Sequence, residues 1–173
     1  MASGRRNAYL SAMIDELYSA NILRLAANMP RAGRLAAPDA SAEKVARLCG
    51  SRIVVDVTLE DGKIADFAQE VKACALGQAA AAVLGANVIG ATCEEIAVAR
   101  DAFRAMLKAG GSPPTGRFSD LSMLEPVKDY PQRHASSMLA FEATVEACRL
   151  AQAGRESQAP AEARARTSPA GAA

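Results

Sequence analysis

A two-residue alternation from Arg52 to Glu60 sets the strongest limit on how this chain folds. Ile53, Val55, Val57 and Leu59 fall on one side, and Arg52, Val54, Asp56, Thr58 and Glu60 on the other, as in a half-buried strand. Asp61-Gly62 follows at once, and that dipeptide accepts the positive φ of a tight hairpin turn. Ile64 to Lys72 returns as the partner strand, with Ala65, Phe67 and Val71 on one face. Asp56, Glu60, Asp61 and Asp66 read as solvated charge on the turn and the outer face.

Cysteines bracket this hairpin. Cys49 stands just before the first strand and Cys74 just after the second, and the open ends of an antiparallel pair lie side by side, so the topology brings the two thiols together. Cys74 also opens an alanine-rich run to about Ala86, which places its sulfur at a helix N-terminus. Unpaired N–H groups and the helix dipole favour a thiolate there. The plainer reading of a cysteine at such a junction is a small buried hydrophobe. Arg47, Arg52, Lys72 and, in expected space, Arg133 supply basic neighbours of the kind that suit sulfur transfer or metal binding. Spacing alone, 25 positions between the two cysteines, does not define a site.

The remaining segments are helical. Leu10, Met13, Ile14, Leu17, Tyr18 and Leu25 give an amphipathic N-terminal helix over about Tyr9 to Ala27, stopped by Pro30 and Gly33. Pro38-Asp39-Ala40-Ser41 signals a turn and Val45 to Cys49 a short strand. Thr92-Cys93-Glu94-Glu95 matches a capping box, so Cys93 has a local explanation, and the helix it opens ends at Gly110-Gly111. Ser112 to Gly116 is a loop, and Phe118 to Leu124 makes one or two helical turns. A last helix from Asp129-Tyr130-Pro131 to about Ala153 carries Met138, Phe141, Val145 and Cys148 on its core stripe. Residues 1–153 therefore form one domain. Gly154 to Ala173, rich in Ala, Arg, Glu, Ser, Pro and Gly without periodicity, reads as a disordered tail. The fold class is α+β: a small, mostly antiparallel sheet around the hairpin at about 52–72, packed with an N-terminal helix and three C-terminal helices.

Several functions are excluded on residue type. Lys and Arg number 20 against 19 Asp and Glu, for a net charge of +1, which leaves no electrostatic footprint for nucleic acid or an anionic membrane. Ala73 to Thr92 is long enough to span a bilayer, but its Ala and Gly content argues for a helix inside the domain. His134 is the sole histidine, so a site needing two imidazoles is ruled out. G-x-S-x-G, P-loop, G-x-G-x-x-G and C-x-x-C motifs are absent. The four widely spaced cysteines, without a secretory leader before them, predict reduced thiols and a cytoplasmic protein.

Cys49-Gly50-Ser51, then Ala73-Cys74-Ala75-Leu76-Gly77-Gln78-Ala79-Ala80, then Arg133-His134-Ala135-Ser136-Ser137-Met138-Leu139-Ala140 resemble three segments of one family in order. They correspond to a C-G-D before a hairpin, a G-C-A-[IL]-x-x-A-[SA] helix start and an R-x-K-C-A-x-L-[AP] opening of the last helix. Leu17-Tyr18, Ile22-Leu23 and Asn28-Met29-Pro30-Arg31-Ala32-Gly33 add a similar opening helix and turn. The family is the U-type iron–sulfur cluster assembly scaffolds, the NifU-like N-terminal domain also called IscU-like, and the resemblance runs from Leu17 to Cys148.

That resemblance implies a scaffold or carrier, not a turnover enzyme. It would bind iron or a nascent [2Fe–2S] cluster through Cys49 and Cys74, take sulfur from a cysteine desulfurase and serve acceptor apoproteins. Family members use three cysteines and the Asp of C-G-D, whereas here Ser51 replaces the Asp and Ser136 the third cysteine. A cluster or zinc wants four ligands, so three arrangements remain: His134 as a third ligand, a homodimer in which each chain donates Cys49 and Cys74, or a degenerate interaction module that binds no metal. The long stretch from Cys93 to Val127 resembles the branch that binds zinc and accepts persulfide sulfur.

Overall fold

The computed structural model describes Ala8, Ser11, Ala12 and residues 18–165, with residues 159–165 described by backbone alone. Helix α1 spans Ala20–Ala27, strand β1 Ala40–Ala46, β2 Ser51–Glu60 and β3 Lys63–Lys72. Helix α2 covers Ala75–Asn87, α3 Cys93–Ala109 and α4 Pro131–Ala165, with a 3-10 segment at Gly116–Asp129. The three strands form one antiparallel sheet in the order β1-β2-β3, so the architecture is α+β as the hairpin requires.

Asp61 (φ 51°) and Gly62 (φ 75°) make the β2–β3 turn in the left-handed conformation anticipated for Asp-Gly. Ile53, Val55, Val57 and Leu59 are buried as the alternation demands. On β3 the register slips between Thr58 and Leu59, pairing Thr58 with Asp66 but Leu59 with Ile64. This bulge leaves Ala65 without a partner and turns Ile64 into the core with Phe67, so Ala65 is exposed where simple alternation put it inside.

Asp56 overturns the expectation of solvated charge. It is fully buried, because the chain after α1 turns back over this side of the sheet: the Arg34 guanidinium donates two hydrogen bonds to its carboxylate at 2.8 and 3.0 Å, and the Leu35 N–H donates a third at 2.9 Å. Ser41 Oγ donates another from β1. Burial alone would raise this carboxyl, but the bonds from Arg34, Ser41 and Leu35 outweigh it and hold the acid below its ordinary range. Just upstream, the Gln69 N–H donates to Arg31 O and the Gly33 N–H to Gln69 O, both at 2.9 Å, so this same segment covers the free edge of β3.

Helix α1 starts at Ser19, whose Oγ accepts from the Ile22 N–H, so the helix predicted from Tyr9 is interrupted there. Apart from Ser11 and Ala12, the Tyr9–Leu17 portion of that prediction lies outside the described residues. The first strand is Ala40–Ala46 rather than Val45–Cys49, and Arg47–Gly50 is a turn. Thr92 and Glu95 form the capping box of α3 as expected, with bonds of 2.7 and 3.0 Å. Helix α4 passes Ala153 and continues to Ala165. Arg155, placed in the tail by composition, bonds Asp39 at 3.0 Å and also Leu59 O, while residues 166–173 lie outside the described residues.

Helix α4 packs across β1 and β2 and also against α2 and α3. Phe141 on α4 lies edge-on to Phe103 of α3 and Phe118 of the 3-10 segment, with centroids 6.0 and 5.5 Å apart, geometry worth about 0.5–1.5 kcal/mol per pair beyond burial. Cys148 is buried in this core as its stripe position predicts. Among the described residues, no helix is long and apolar enough to cross a membrane.

Candidate functional site

The open end of the β2–β3 hairpin meets the first turns of α2 and α4. Gly50, at φ 71°, swings the chain from the Arg47–Gly50 turn into β2, leaving Cys49 exposed and Ser51, the first residue of β2, buried. The Cys49 thiol donates to Ser51 Oγ at 3.1 Å. Cys74 is the residue preceding α2, with extended backbone, and its sulfur makes no capping bond. Its Sγ instead lies 3.6 Å from Ser136 Oγ on α4. Ser136 donates its hydroxyl to Arg133 O at 3.0 Å, so its lone pairs face the thiol as acceptors.

Glycine lets the two helices come this close. A Cβ on Gly77 would sit 2.9 Å from Ser136 O and 2.9 Å from the Ala73 Cβ, distances no side chain tolerates without a shift of backbone. Gly77 therefore fixes the separation between the starts of α2 and α4, and with it the Cys74–Ser136 contact.

Each thiol thus has a serine hydroxyl as its neighbour, Ser51 for Cys49 and Ser136 for Cys74. The Ser51 hydroxyl does most to lower the Cys49 thiol below its ordinary value, followed by the Ser51 backbone N–H; partial burial opposes them, and Ser136 and the Arg133 guanidinium add smaller pulls. Of the basic residues singled out in the sequence, Arg133 alone acts on Cys49. Arg52 is turned to Glu43 at 2.7 Å and Glu70 at 3.5 Å. Arg47 and Lys72 are exposed.

His134 does not join the thiols. Its Nε2 lies 3.0 Å from Val127 O and 3.2 Å from Lys128 O, so the buried ring donates to the end of the 3-10 segment and serves as a satisfied polar group. Among the described residues, no group of three or more His, Cys, Asp or Glu side chains is arranged to hold a metal. The donor set is two thiols and two serine hydroxyls, and neutral hydroxyls are weak ligands for zinc or iron. One chain thus does not fit a fully ligated cluster or a structural zinc by itself. Chemically, the arrangement offers a soft two-sulfur grip and one exposed, activated nucleophile.

Three residues act here in ways the sequence did not show. Gly77 matters only once α4 is in place, and the serine hydroxyls, noticed as replaced ligands, proved to be hydrogen-bond partners of the thiols they stand beside.

Comparison with known proteins places this geometry. A curated iron–sulfur cluster assembly scaffold protein IscU from Streptococcus pyogenes serotype M1 is 30% identical over 99 residues, 57% of this chain and 62% of that protein. The chain thus spans less than two thirds of that relative. Another, from Thermotoga maritima, is 28% identical over 99 residues, covering 57% of this chain and 69% of that protein. The crystal structure of a nitrogen-fixing NifU-like protein (N-terminal) from Brucella abortus superposes with a TM-score of 0.80 and 50% identity, over 82% of this chain and 98% of that one. A putative iron–sulfur scaffold for the SUF system from Fervidobacterium islandicum AW-1 shares the fold, with a TM-score of 0.71 at 22% identity over 78% of this chain and 98% of that one. The model of the NifU-like N terminal domain matches residues 17–137, a span that takes in Cys49, Ser51, Cys74 and Ser136, and the chain belongs to that family.

Proposed function

We propose that this protein works in iron–sulfur cluster assembly as a scaffold or carrier, gripping iron or a nascent [2Fe–2S] cargo through Cys49 and Cys74 and passing it to acceptor apoproteins. The observation that carries this reading is the placement of two thiols at the open end of one hairpin, Cys49 bonded to Ser51 and Cys74 beside Ser136 of α4. Two thiolates fill half of a four-ligand set. The other half comes from outside the chain, from a second copy or from the protein that delivers or receives the cargo. Such a half-site binds more weakly than a closed one and releases its cargo to any partner that offers more thiolates.

Anaerobic reconstitution with ferrous iron and sulfide tests this. Wild-type protein should retain iron with sulfur-to-iron charge-transfer absorption, and a Cys49→Ala/Cys74→Ala variant should not. Equal iron in the two proteins overturns the reading.

A second reading is favoured by the exposure and lowered thiol of Cys49 beside Arg133: sulfur acceptance from a cysteine desulfurase. The Cys49 thiolate attacks the outer sulfur of the donor persulfide, the donor S–S bond breaks, and the desulfurase cysteine leaves as thiolate. The zinc-dependent form of this step draws no support from a donor set of two thiols and two hydroxyls. Intact mass after incubation with a desulfurase and free cysteine should show one added sulfur that maps to Cys49. Failure to gain it removes this reading and leaves the first standing.

A further inference from the structure

The last turns of α3 and the first turns of α4 enclose a groove of about 530 Å³. Its floor is apolar, with Leu107 from α3 and Met138 from α4 both buried. Three cations line it, Arg104, Lys108 and Lys128, against one carboxylate, Glu142. Arg104 is taken up by Asp101 and Glu142, each at 3.3 Å, and Lys128 has Glu125 at 3.3 Å. Glu125 and Asp129 border a separate hollow on Lys128 and do not line the groove. Lys108 is exposed and has no ion pair among the described residues. Pro131 brings in the start of α4, whose first turn holds no acidic residue to offset the positive end of the helix.

His134 is the polar group set into this groove. The residue is 7% exposed and is satisfied on one side only. Its Nε2 faces Val127 O and Lys128 O at 3.0 and 3.2 Å, so Nε2 carries the ring proton and Nδ1 holds a lone pair. Nδ1 has no partner among the described residues. It is not sealed in either, because Gln69 Oε1 alone among those residues is a fully enclosed side-chain polar atom without a partner. The open space beside the ring is the groove.

We propose that this groove binds a small phosphate monoester. Lys108 and Lys128 attract the phosphate, Leu107 and Met138 pack its organic part, and Nδ1 of His134 accepts a hydrogen bond from a protonated phosphate oxygen. Cations alone would accept any anion; the lone pair selects. A phosphate monoester, with a second pKa of about 6, keeps one O–H in part near neutral pH, whereas a sulfate ester or a carboxylate has no donor to offer. The volume and apolar floor, with few polar groups, are those of a small-molecule site rather than of a bare ion.

The full chain is titrated with phenyl phosphate at about pH 6, followed by calorimetry and by the methyl resonance of ¹³C-labelled Met138. Binding should saturate and shift that resonance, and inorganic phosphate should bind more weakly. Phenyl sulfate should bind at least about tenfold more weakly. Lys108→Glu, at an exposed position, should weaken phenyl phosphate at least about tenfold, and Lys108→Arg should keep most of the affinity. Cys49→Ala/Cys74→Ala should bind as the wild type does, which separates this site from the thiol site. The proposal is overturned by equal binding of phenyl sulfate, by binding that leaves Met138 or the Lys108→Glu affinity unchanged, or by no saturable binding up to about 10 mM.

Discussion

Replacing Ser51 by Asp and Ser136 by Cys should convert the two-thiol grip into a four-ligand metal site. Zinc–sulfur bonds of about 2.3 Å and zinc–oxygen bonds of about 2.0 Å at a tetrahedral angle put neighbouring sulfur and oxygen donors about 3.5 Å apart. Cys74 Sγ and Ser136 Oγ stand 3.6 Å apart, and the Ser136→Cys sulfur must lie about 3.8 Å from Cys74 Sγ when both bind zinc, so this edge opens by a few tenths of an ångström at most. The Cys49–Ser51 edge, at 3.1 Å, must open by a few tenths of an ångström, which the exposed Arg47–Gly50 turn can supply. Four-ligand zinc sites worth about 10–16 kcal/mol average about 2.5–4 kcal/mol per ligand. Two added ligands, less about 1 kcal/mol for the Ser136–Arg133 bond given up, leave a net gain of about 4–7 kcal/mol, or at least about a thousandfold in affinity. Competition against a chromophoric zinc chelator measures it, and cobalt charge-transfer bands count the thiolates. Ser137→Cys is the control: its hydroxyl is also bonded to Arg133 O at 3.0 Å, yet it should gain nothing. A gain under about tenfold in the folded Ser51→Asp/Ser136→Cys protein means that the four side chains do not face one point, and the half-site description fails with it.

Asp56→Ala should cost about 2–4 kcal/mol in urea denaturation, because it strips the acceptor from buried donors; the half-exposed Arg34 regains water and keeps the loss toward the lower figure. Since the native Asp56 carboxyl lies below its ordinary value of 3.8, its contribution is present above that value and is lost as pH falls through the lower native one. The acid limb of the stability curve should accordingly be flatter in the variant, and parallel limbs would contradict this. Gly77→Ala should lower the melting temperature, since about 1–3 kcal/mol of overpacking against Ser136 O exceeds about 1 kcal/mol of helix propensity, and it should speed alkylation of Cys74 as α4 is pushed away. Unchanged stability and labelling would mean that the helices give way freely. Ser51→Ala should move the pH midpoint of Cys49 alkylation upward, toward the ordinary thiol value of 9.0, by more than Arg133→Ala does. A larger effect of Arg133 would show that charge, not hydrogen bonding, activates the sulfur.

Local signals carried the frame. Asp61-Gly62 and the alternation of β2 are complete within twenty residues, and they fixed both the hairpin and the neighbourhood of Cys49 and Cys74. What escaped depended on partners distant in the chain. Asp56 looked solvated because Arg34, 22 positions earlier, arrives only when the chain after α1 folds back. Ala65 looked buried because a bulge, which leaves no mark in a period-two pattern, shifts the phase of β3. Gly154 looked like the start of a tail because the following residues lack a hydrophobic stripe, yet Arg155 is held by polar contacts to Asp39 and Leu59 O. His134 invited a ligand role by its place in the motif, and the ends of the 3-10 segment claimed its Nε2 instead.

The serines also determine from which side the site can be completed. Ser51 and Ser136 are buried, with 4% and 1% of their surface exposed, and close the inner side of the thiol pair. Cys49 opens outward on the Arg47–Gly50 turn, where Leu48 is 86% exposed. On the proposed function, outside ligands must therefore approach over that turn, past Leu48, and meet Cys49 before Cys74. Handover then begins at the exposed sulfur: a partner thiolate displaces Cys49 first, while Cys74, held against Ser136, keeps its grip until the cargo has gained its new ligands. Exchange in this order never leaves the metal without sulfur, and that protection comes from the asymmetry in exposure between the two cysteines.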